Sequence, residues 1–350
     1  MKKINKKQGG RRMKQKLKRS ILTMAAIVLC GIMYMTFSNV SLAATEAGSA
    51  QKTEQTAEVY KTSKDVVVYP EMRGMAKAGD YLYYASEKGL VSVNIKTNST
   101  RYVDKGADYT QLISYQGYLY YTRYKYIYSK KTGTGHYKFC SVYRIKAGKK
   151  TKPELVCKNG RLSIIKNDVI LYTNNDYLCS CSLDGSHKKK CYKFLKNDMQ
   201  GYLIYKNGRY YFGDPNGMYT VDKNFKDRRK SKKDAYGMIC EAYNYTFSSS
   251  SVEMDNGGAY VKYNEKKKKW GVLYWTQTSE TTTKKKYIYI AKKKHLYILN
   301  SSKAGYLMIV EYNKDLDWRA PEEDKCKAGT VKIIDIKGHV IGTVKKKYLL

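Results

Sequence analysis

The sequence predicts an all-β protein, because short hydrophobic runs alternate with a period near two and are separated by turn residues. The clearest example covers residues 161–195, where Asn167-Asp168, Asn174 to Asp176 and Asp184-Gly185 separate four runs. Asp-Gly is a strong hairpin signal, since both residues tolerate positive φ. A unit of four short antiparallel strands that recurs along a chain is typical of a β-propeller blade.

Units of this kind recur over residues 72–350. Their second strands are predicted to begin at Tyr81, Tyr118, Val169, Arg209 and Tyr306. The last of the four intervals between these starts, 97 residues, is long enough for two blades, so the 225 residues from Tyr81 to Tyr306 count as five blade spacings with a mean of 45 residues. This spacing predicts a six-bladed β-propeller and leaves seven blades as an alternative. The fifth unit is the least regular, with strands predicted at 238–247, 259–263, 271–276 and 287–290. No helix of useful length is predicted within these units.

The N-terminus predicts export. Residues 1–19 contain ten Lys or Arg and no acid, residues 20–40 carry no charge, and Ser41-Leu42-Ala43 forms a small-residue cleavage site. Residues 1–44 are therefore predicted to be a signal peptide or a helical membrane anchor, 45–65 a flexible linker and 66–350 the propeller. The propeller would be extracytoplasmic, either secreted or anchored in the cytoplasmic membrane by residues 20–40.

Two segments are longer than turns require, and both follow a second strand. They cover residues 123–138 and 313–328. Loops of this length in a compact domain are usually functional or disordered. Blades two and six would both flank blade one, so the two segments are predicted to frame a cleft for an envelope glycan or protein. The predicted ligand-binding residues are aromatic, His and Arg side chains, which are frequent binding anchors: Tyr124, Tyr126, Tyr128, His136, Trp318 and Arg319.

The formal charge of +37 leaves two interpretations open. Lys clusters at turns and strand edges are typical of a solvated surface that resists aggregation. They are also consistent with attraction to an anionic polymer or a membrane surface. No nucleic-acid partner is predicted, because no basic helix or recognised nucleic-acid motif accounts for the charge.

No catalytic residue, metal site or cofactor is predicted. The four His residues lie outside metalloprotease and nucleophile-elbow motifs. The preferred interpretation is a non-enzymatic binding or scaffold module, and the alternative is an exported hydrolase or lyase that uses the propeller cleft. Cys140 and Cys157 are symmetric about the turn at Gly148-Lys149, so a cross-strand disulfide between them is sterically allowed. Buried free thiols are the other interpretation.

Several short motifs carry a resemblance to a known family. Ser182 to Ser186 reads SLDGS, residues 273–276 read LYWT, and weaker versions occur at 119–122 (LYYT) and 170–173 (ILYT). This pattern resembles the YWTD-type six-bladed β-propeller of low-density-lipoprotein-receptor-related proteins, and especially similar exported bacterial domains. The resemblance implies an extracytoplasmic binding or scaffold domain without a known reaction.

The motif Asp that ties neighbouring blades together in that family is absent here. Gln277, Arg123 and Asn174 occupy its positions. Contacts between blades are therefore expected to differ from those of the family.

A second resemblance gives another alternative. Residues 207–220, NGRYYFGDPNGMYT, are similar to the aromatic cell-wall-binding repeats of choline-binding proteins. This similarity implies stacking of aromatic rings on sugars or choline.

The chain ends are expected to close the ring. A propeller removes its open edge by joining the ends of the chain in one blade. The short run from Val66 to Tyr69 is therefore predicted to pair with the last blade, near 339–344.

Overall fold

The computed structural model describes residues 65–71, 74–129, 134–195, 202–214, 216–243, 251–254, 257–277, 283–316 and 320–349. All of them belong to one unit of the chain. The predicted signal or anchor segment, most of the predicted linker, and Trp318 and Arg319 lie outside these residues.

Within the described residues, strands form six antiparallel sheets that follow one another along the chain. The strand β1 (Val67–Val68) precedes them and joins the third. Sheet 1 comprises β2 (Met75–Ala78), β3 (Tyr81–Ser86), β4 (Gly89–Asn94) and β5 (Thr100–Lys105). Sheet 2 comprises β6 (Asp108–Tyr115), β7 (Tyr118–Ser129), β8 (Thr134–Lys146) and β9 (Glu154–Cys157). Sheet 3 comprises β10 (Arg161–Lys166), β11 (Val169–Asn174), β12 (Tyr177–Ser182) and β13 (Lys189–Lys193), with β1 beside β10.

The remaining three sheets have the same order of consecutive strands. Sheet 4 comprises β14 (Tyr202–Lys206), β15 (Arg209–Asp214), β16 (Gly217–Asp222) and β17 (Arg229–Lys230). The helix α1 (Ala235–Tyr243) follows it. Sheet 5 comprises β18 (Ser251–Met254), β19 (Gly257–Asn264), β20 (Lys269–Gln277) and β21 (Thr283–Ile290). Sheet 6 comprises β22 (His295–Ser302), β23 (Tyr306–Tyr312), β24 (Gly329–Asp335) and β25 (Val340–Val344), with helix α2 (Glu322–Ala328) before β24 and a 3₁₀ turn, Lys346–Tyr348, after β25.

The tight turns have the chemistry that the sequence predicts. Asn207 and Gly208, between β14 and β15, have φ values of 52° and 75°. Asn167 and Asp168, between β10 and β11, have φ values of 47° and 64°. Two successive residues at positive φ match the right-handed twist of a hairpin, and Asn, Asp and Gly adopt that conformation most readily. The predicted hairpins are confirmed at these positions.

The hydrophobic core lies between neighbouring sheets. Buried side chains of sheets 1 and 2, 2 and 3, 3 and 4, and 5 and 6 form shared clusters. Sheet 6 also packs on sheet 1, where Met308 and Val310 join Leu82 and Tyr84 in one cluster. The first strands of these sheet pairs lie next to each other, as in β2 beside β6 and β22 beside β2. The first and last sheets of the chain are thus packing neighbours.

The N-terminal segment 65–71 pairs with the first strands of sheets 2 and 3 and not with the last sheet. Val67 pairs with Lys166 and Val68 with Ile165, so β1 covers the edge of β10 that does not pair with β11. The amide of Glu71 donates to the carbonyl of Leu112 on β6 at 2.9 Å. The predicted pairing with 339–344 is therefore wrong. Burial of Val67 and Val68, which are 3% and 5% exposed, favours the observed position.

Two tyrosine hydroxyls cover the same edge of β14. The Tyr69 hydroxyl donates to the carbonyl of Tyr205 and accepts its amide hydrogen, both at 3.1 Å. The Tyr243 hydroxyl donates to the carbonyl of Leu203 at 3.0 Å and accepts its amide hydrogen at 3.2 Å. Because a buried backbone group needs a hydrogen-bond partner, these side chains replace a neighbouring strand.

The prediction of a strand over 238–247 is wrong where the structure describes it. Ala235–Tyr243 is helical, and its buried residues have the spacing of one helix face: Ala235, Met238, Ile239, Ala242 and Tyr243. Asp234 caps the helix, since its carboxylate accepts the amide hydrogens of Tyr236 at 3.1 Å and Gly237 at 2.8 Å. The expectation of no useful helix fails for the same reason.

The cross-strand position predicted for Cys140 and Cys157 is also wrong. The register places Cys157 opposite Val142, and Cys140 opposite Tyr124 on β7. Both are free thiols. Arg144 pairs with Glu154, one residue away from the symmetric register, and the irregularity between Val142 and Tyr143 adds a second residue. Cys157 instead contacts Cys181 of sheet 3, and this contact together with burial raises the pKa of the Cys157 thiol.

Candidate functional site

The segment 123–138 is mostly a two-stranded ribbon, not a loop. It arises because β7 and β8 continue past the edge of sheet 2, with Tyr126 opposite Tyr137 and Ile127 opposite His136. An ideal Cβ on Gly135 would overlap the Tyr126 ring, so this ring lies directly on the opposite strand. The predicted loop is therefore corrected to a β-ribbon, which we call the aromatic ribbon (residues 123–129 and 134–139).

The aromatic ribbon places the predicted ligand-binding residues at different depths. Tyr124 lies at its base and is half-buried. Tyr126, Ile127 and Tyr128 are 47%, 39% and 60% exposed, and they belong to the most exposed large hydrophobic side chains in the described part of the chain. His136 is also exposed. The structure therefore leaves an aromatic surface in contact with solvent.

A cavity of about 290 Å³, the insertion cavity, lies at the base of the aromatic ribbon. Tyr124 of sheet 2 and the helix α2, which belongs to segment 313–328, both line it. Of the predicted ligand-binding residues that the structure describes, Tyr124 lines this cavity, whereas Tyr126, Tyr128 and His136 do not. Its lining combines aromatic and acidic side chains: Tyr84, Tyr109, Tyr124, Glu87, Asp108 and Glu322. The predicted contributions of Trp318 and Arg319 fall outside the described residues.

Arg123 follows the LYYT stretch at 119–122, where the YWTD-type motif has Asp. Its side chain connects sheet 2 to sheet 1. Its Nε lies 3.3 Å from the Asp104 carboxylate, and its Nη2 donates to the carbonyl of Lys105 at 3.2 Å. The Tyr121 hydroxyl donates to the same carboxylate at 3.1 Å. The guanidinium also lies over the ring of Phe139, 5.3 Å from its centroid. The Arg123 guanidinium of sheet 2 thus contacts the Asp104 carboxylate of sheet 1 at the base of the aromatic ribbon.

A second cavity, the first-strand cavity, was not predicted from the sequence. It has a volume of about 280 Å³ and lies among β6, β10, β11, β14, α1 and the N-terminal segment. Arg161 at the start of β10 lines it together with neutral polar side chains, among them Gln111, Ser163 and Thr173. A sequence signal is absent because these residues come from separate strands, and their proximity depends on how sheets 2, 3 and 4 pack.

The contacts of His187 with its neighbours do not form a catalytic triad. Nδ1 of His187 lies 3.1 Å from the Ser182 hydroxyl and 2.8 Å from the Ser186 hydroxyl. The Asp184 carboxylate accepts from Ser186 at 2.7 Å, so it holds the serine and not the imidazole. A triad needs the carboxylate on the histidine, which then takes the proton of the nucleophile. This cluster stabilises an exposed turn between β12 and β13.

Two other functional features are absent from the described residues. No group of three or more His, Cys, Asp and Glu is arranged to hold a metal ion in this part of the chain. Among the helices described here, none is long and apolar enough to cross a membrane.

The stretch 207–220 forms the hairpin β15–β16, and its aromatic side chains are largely internal. Tyr210, Tyr211 and Phe212 are 6%, 5% and 1% exposed and belong to the core shared by sheets 3 and 4. Rings buried in this way do not present a face to a sugar. The structure thus favours a core role for the stretch that resembles a cell-wall-binding repeat.

No protein-family model matches the sequence, and no curated protein matches it. Solved structures with some similarity include a dipeptidyl peptidase 4 from Porphyromonas gingivalis (10% identity, 82% of this chain, TM-score 0.29). This chain spans 46% of that peptidase chain. Others are a chain of a mitotic checkpoint complex (9% identity, 86% of this chain, 88% of that chain, TM-score 0.32) and the AfRom2 CNH domain (9% identity, 71% and 92%, TM-score 0.25). TM-scores of this size assign neither a family nor an activity to the chain.

Proposed function

We propose that the chain is a six-bladed β-propeller that serves as a non-enzymatic binding or scaffold module on the outer side of the cytoplasmic membrane. The six successive antiparallel sheets support this architecture, as do the neighbouring first strands and the packing of sheet 6 on sheet 1. The basic and apolar N-terminal sequence supports export. The ligand is a glycan or a protein of the cell envelope.

The observation that carries the binding function is the aromatic ribbon beside the insertion cavity. Exposed Tyr rings offer large, rigid contact surfaces at low entropic cost. The carboxylates of Glu87, Asp108 and Glu322 at the cavity can accept hydrogen bonds from sugar hydroxyls or from amide groups. Exposed aromatic side chains next to hydrogen-bond acceptors suit recognition of a neutral polar chain, such as a glycan or an extended polypeptide.

The outermost strands of three sheets support attraction to an anionic envelope. Strands β13, β17 and β21 contain no acidic residue, and their basic side chains are exposed: Lys189, Lys190, Lys193, Arg229, Lys230, Lys284, Lys285 and Lys286. Lys on an edge strand also discourages pairing with a second sheet. Long-range attraction would concentrate the protein near anionic polymer or lipid, and it would weaken with salt.

Sedimentation with isolated cell envelopes tests this proposal. The double variant Tyr126→Ala/Tyr128→Ala is expected to lower the retained fraction several-fold, because it removes the exposed rings, while the melting temperature stays unchanged. Tyr236→Ala is the matched control, since Tyr236 is 41% exposed on α1, away from the ribbon. Trp318→Ala tests the second predicted segment in the same way.

Treating the envelopes with protease or with a glycan hydrolase distinguishes a protein ligand from a glycan. A parallel series at low and high salt separates ribbon binding from charge attraction, because only the latter should depend steeply on salt. Equal retention of wild type and the ribbon variant would reject the assignment of the ribbon. Absence of wild-type retention would reject the envelope-binding function.

A further inference from the structure

The first-strand cavity is lined by one cation and one carboxylate, and no ion pair joins these two described residues. Arg161 lines the cavity, its side chain is exposed, and it forms no ion pair with a described residue. The carboxylate in the lining, that of Glu71, accepts the backbone amide hydrogen of Lys303 at 3.1 Å. The guanidinium offers five hydrogen-bond donors in a planar fork, which matches a carboxylate or a phosphate.

The neutral side chains around Arg161 add directional hydrogen-bonding groups. The Thr122 hydroxyl accepts the Leu162 amide hydrogen at 2.9 Å, so its own hydrogen is directed to Oε1 of Gln111 at 2.8 Å. This contact fixes the Gln111 amide and leaves the hydrogens on Nε2 for a ligand. The hydroxyls of Ser163 and Thr173 also line the cavity. A ligand with hydroxyl or amide groups besides its anion would therefore find both donors and acceptors.

The backbone at Gln111 is held in an unusual conformation. Its φ is +52°, and a bulge separates Thr110 from Ile113 in the pairing of β6 with β7. A non-glycine residue in the left-handed region costs energy and often occurs at binding sites, as do β-bulges. The same bulge receives the N-terminal segment, because Leu112 accepts the Glu71 amide hydrogen. The segment that lines the cavity and the strained residue are thus part of one arrangement.

We propose that the first-strand cavity binds a small polar molecule with one carboxylate or phosphate group, and that Arg161 holds this anionic group. A volume of about 280 Å³ suits a molecule of the size of a monosaccharide or an amino acid. The inference is independent of ligand retention by the aromatic ribbon, which contacts the other cavity.

Isothermal titration of the full chain with four probes tests this site: glucuronate, glucose 6-phosphate, glucose and inorganic phosphate. Saturable binding of glucuronate or glucose 6-phosphate, with no binding of glucose, is expected. The first probe identifies a carboxylate site and the second a phosphate site. Inorganic phosphate should bind at least 10-fold more weakly than its sugar ester, because it lacks the contacts to the neutral lining.

Two variants assign the binding to this cavity. Arg161→Ala is expected to lower the affinity for the probe that binds about 10- to 100-fold, the usual effect of losing a charged hydrogen-bonding partner. Gln111→Glu is nearly isosteric and keeps the acceptor for Thr122. Its added negative charge repels an anion, so it should lower the affinity for the same probe. Arg229→Ala is the matched control, since it removes an equal charge from the exposed strand β17 and should change affinity less than twofold.

Three results would overturn the proposal. One is no saturable binding of either anionic sugar by the wild-type chain. Another is equal binding of glucose or of inorganic phosphate. The third is unchanged affinity in both cavity variants, or an equal loss in Arg229→Ala, when circular dichroism and the melting temperature show that each variant is folded.

Discussion

The carboxylate of Glu311 on β23 is buried, with 1% of the side chain exposed. Its Oε1 accepts hydrogens from the Tyr289 hydroxyl at 3.0 Å and from the Lys292 amide at 2.7 Å, and its Oε2 lies 2.5 Å from Nζ of Lys332. Burial by itself raises the pKa of Glu311, but these hydrogen bonds, led by that of Lys332, hold it below its ordinary value. The buried carboxylate is thus bound by Tyr289 of sheet 5, by Lys332 of sheet 6 and by the backbone that links the two sheets.

Lys332→Met should therefore destabilise the fold by about 3–5 kcal/mol, because it leaves a buried carboxylate without a cationic partner. The double variant Glu311→Gln/Lys332→Met should regain part of this loss, since no unpaired charge remains. Urea unfolding measures both. Lys268→Met is the control, because the pair of Lys268 and Glu265 is 75% and 77% exposed. A single variant as stable as the wild type would contradict the buried ion pair.

The same carboxylate predicts a pH dependence of stability. A folded-state pKa below the unfolded value of about 4.3 stabilises the protein above that pH, and the contribution disappears as pH falls through the folded-state pKa. Between about pH 5 and pH 2, the free energy of unfolding of the wild type should therefore fall more steeply than that of Glu311→Gln. Parallel slopes in urea titrations across this range would show that Glu311 does not titrate as described.

At the scale of elements, the free edge of β14, the first strand of sheet 4, pairs with no other strand in the described part of the chain. Tyrosine hydroxyls bind its backbone groups instead. Tyr69→Phe removes the donor to the Tyr205 carbonyl and the acceptor of its amide hydrogen. A loss of about 1–3 kcal/mol is expected, because two buried backbone groups lose their partner. Chemical unfolding of Tyr69→Phe and of the control Tyr128→Phe, at a ring that is 60% exposed, checks this. Equal stabilities would mean that water satisfies this edge.

At the scale of the whole molecule, the segment 65–71 connects sheets 2, 3 and 4. A chain that begins at Gly74 should unfold at a lower urea concentration than a chain that begins at Asp65. The free energy of unfolding is expected to fall by several kcal/mol, because full burial of each of the side chains Val67, Val68 and Tyr69 contributes roughly 1.5–3 kcal/mol. A probe bound in the first-strand cavity should also be lost, since Pro70 and Glu71 line it. Equal unfolding midpoints would show that the segment is an accessory to an independently stable fold.

Much of the strand pattern could be predicted from the sequence. Strands of sheets 1, 2, 3 and 6 follow the alternating runs, and Asn207-Gly208 and Asn167-Asp168 turn as predicted. These features depend on residues close in the chain, where side-chain alternation and turn chemistry act locally. That segments 123–138 and 313–328 frame a ligand-binding cleft stays a prediction, for which the cavity beside Tyr124 and α2 is a candidate.

The helix α1 is a local feature for which the repeat predicts the wrong element. The buried positions from Ala235 to Tyr243 have the helical spacing, and Asp234 is a recognisable cap. The repeat of four-stranded units predicts a further strand here, whereas the local spacing is that of a helix. The cysteine prediction is wrong because β8 and β9 leave the turn one residue away from the symmetric register, and a bulge adds a second residue.

By itself the sequence determined the all-β class, the repeat of four short strands and the turns, because these result from contacts among residues adjacent in the chain. Only the tertiary structure decided where Val67 and Val68 pair, how Tyr69 and Tyr243 satisfy β14, and that Arg161 shares a cavity with Gln111. Those contacts join residues separated by 40 or more positions. They are selected by which buried edge or side chain can be satisfied when the sheets pack, and no local pattern encodes that choice.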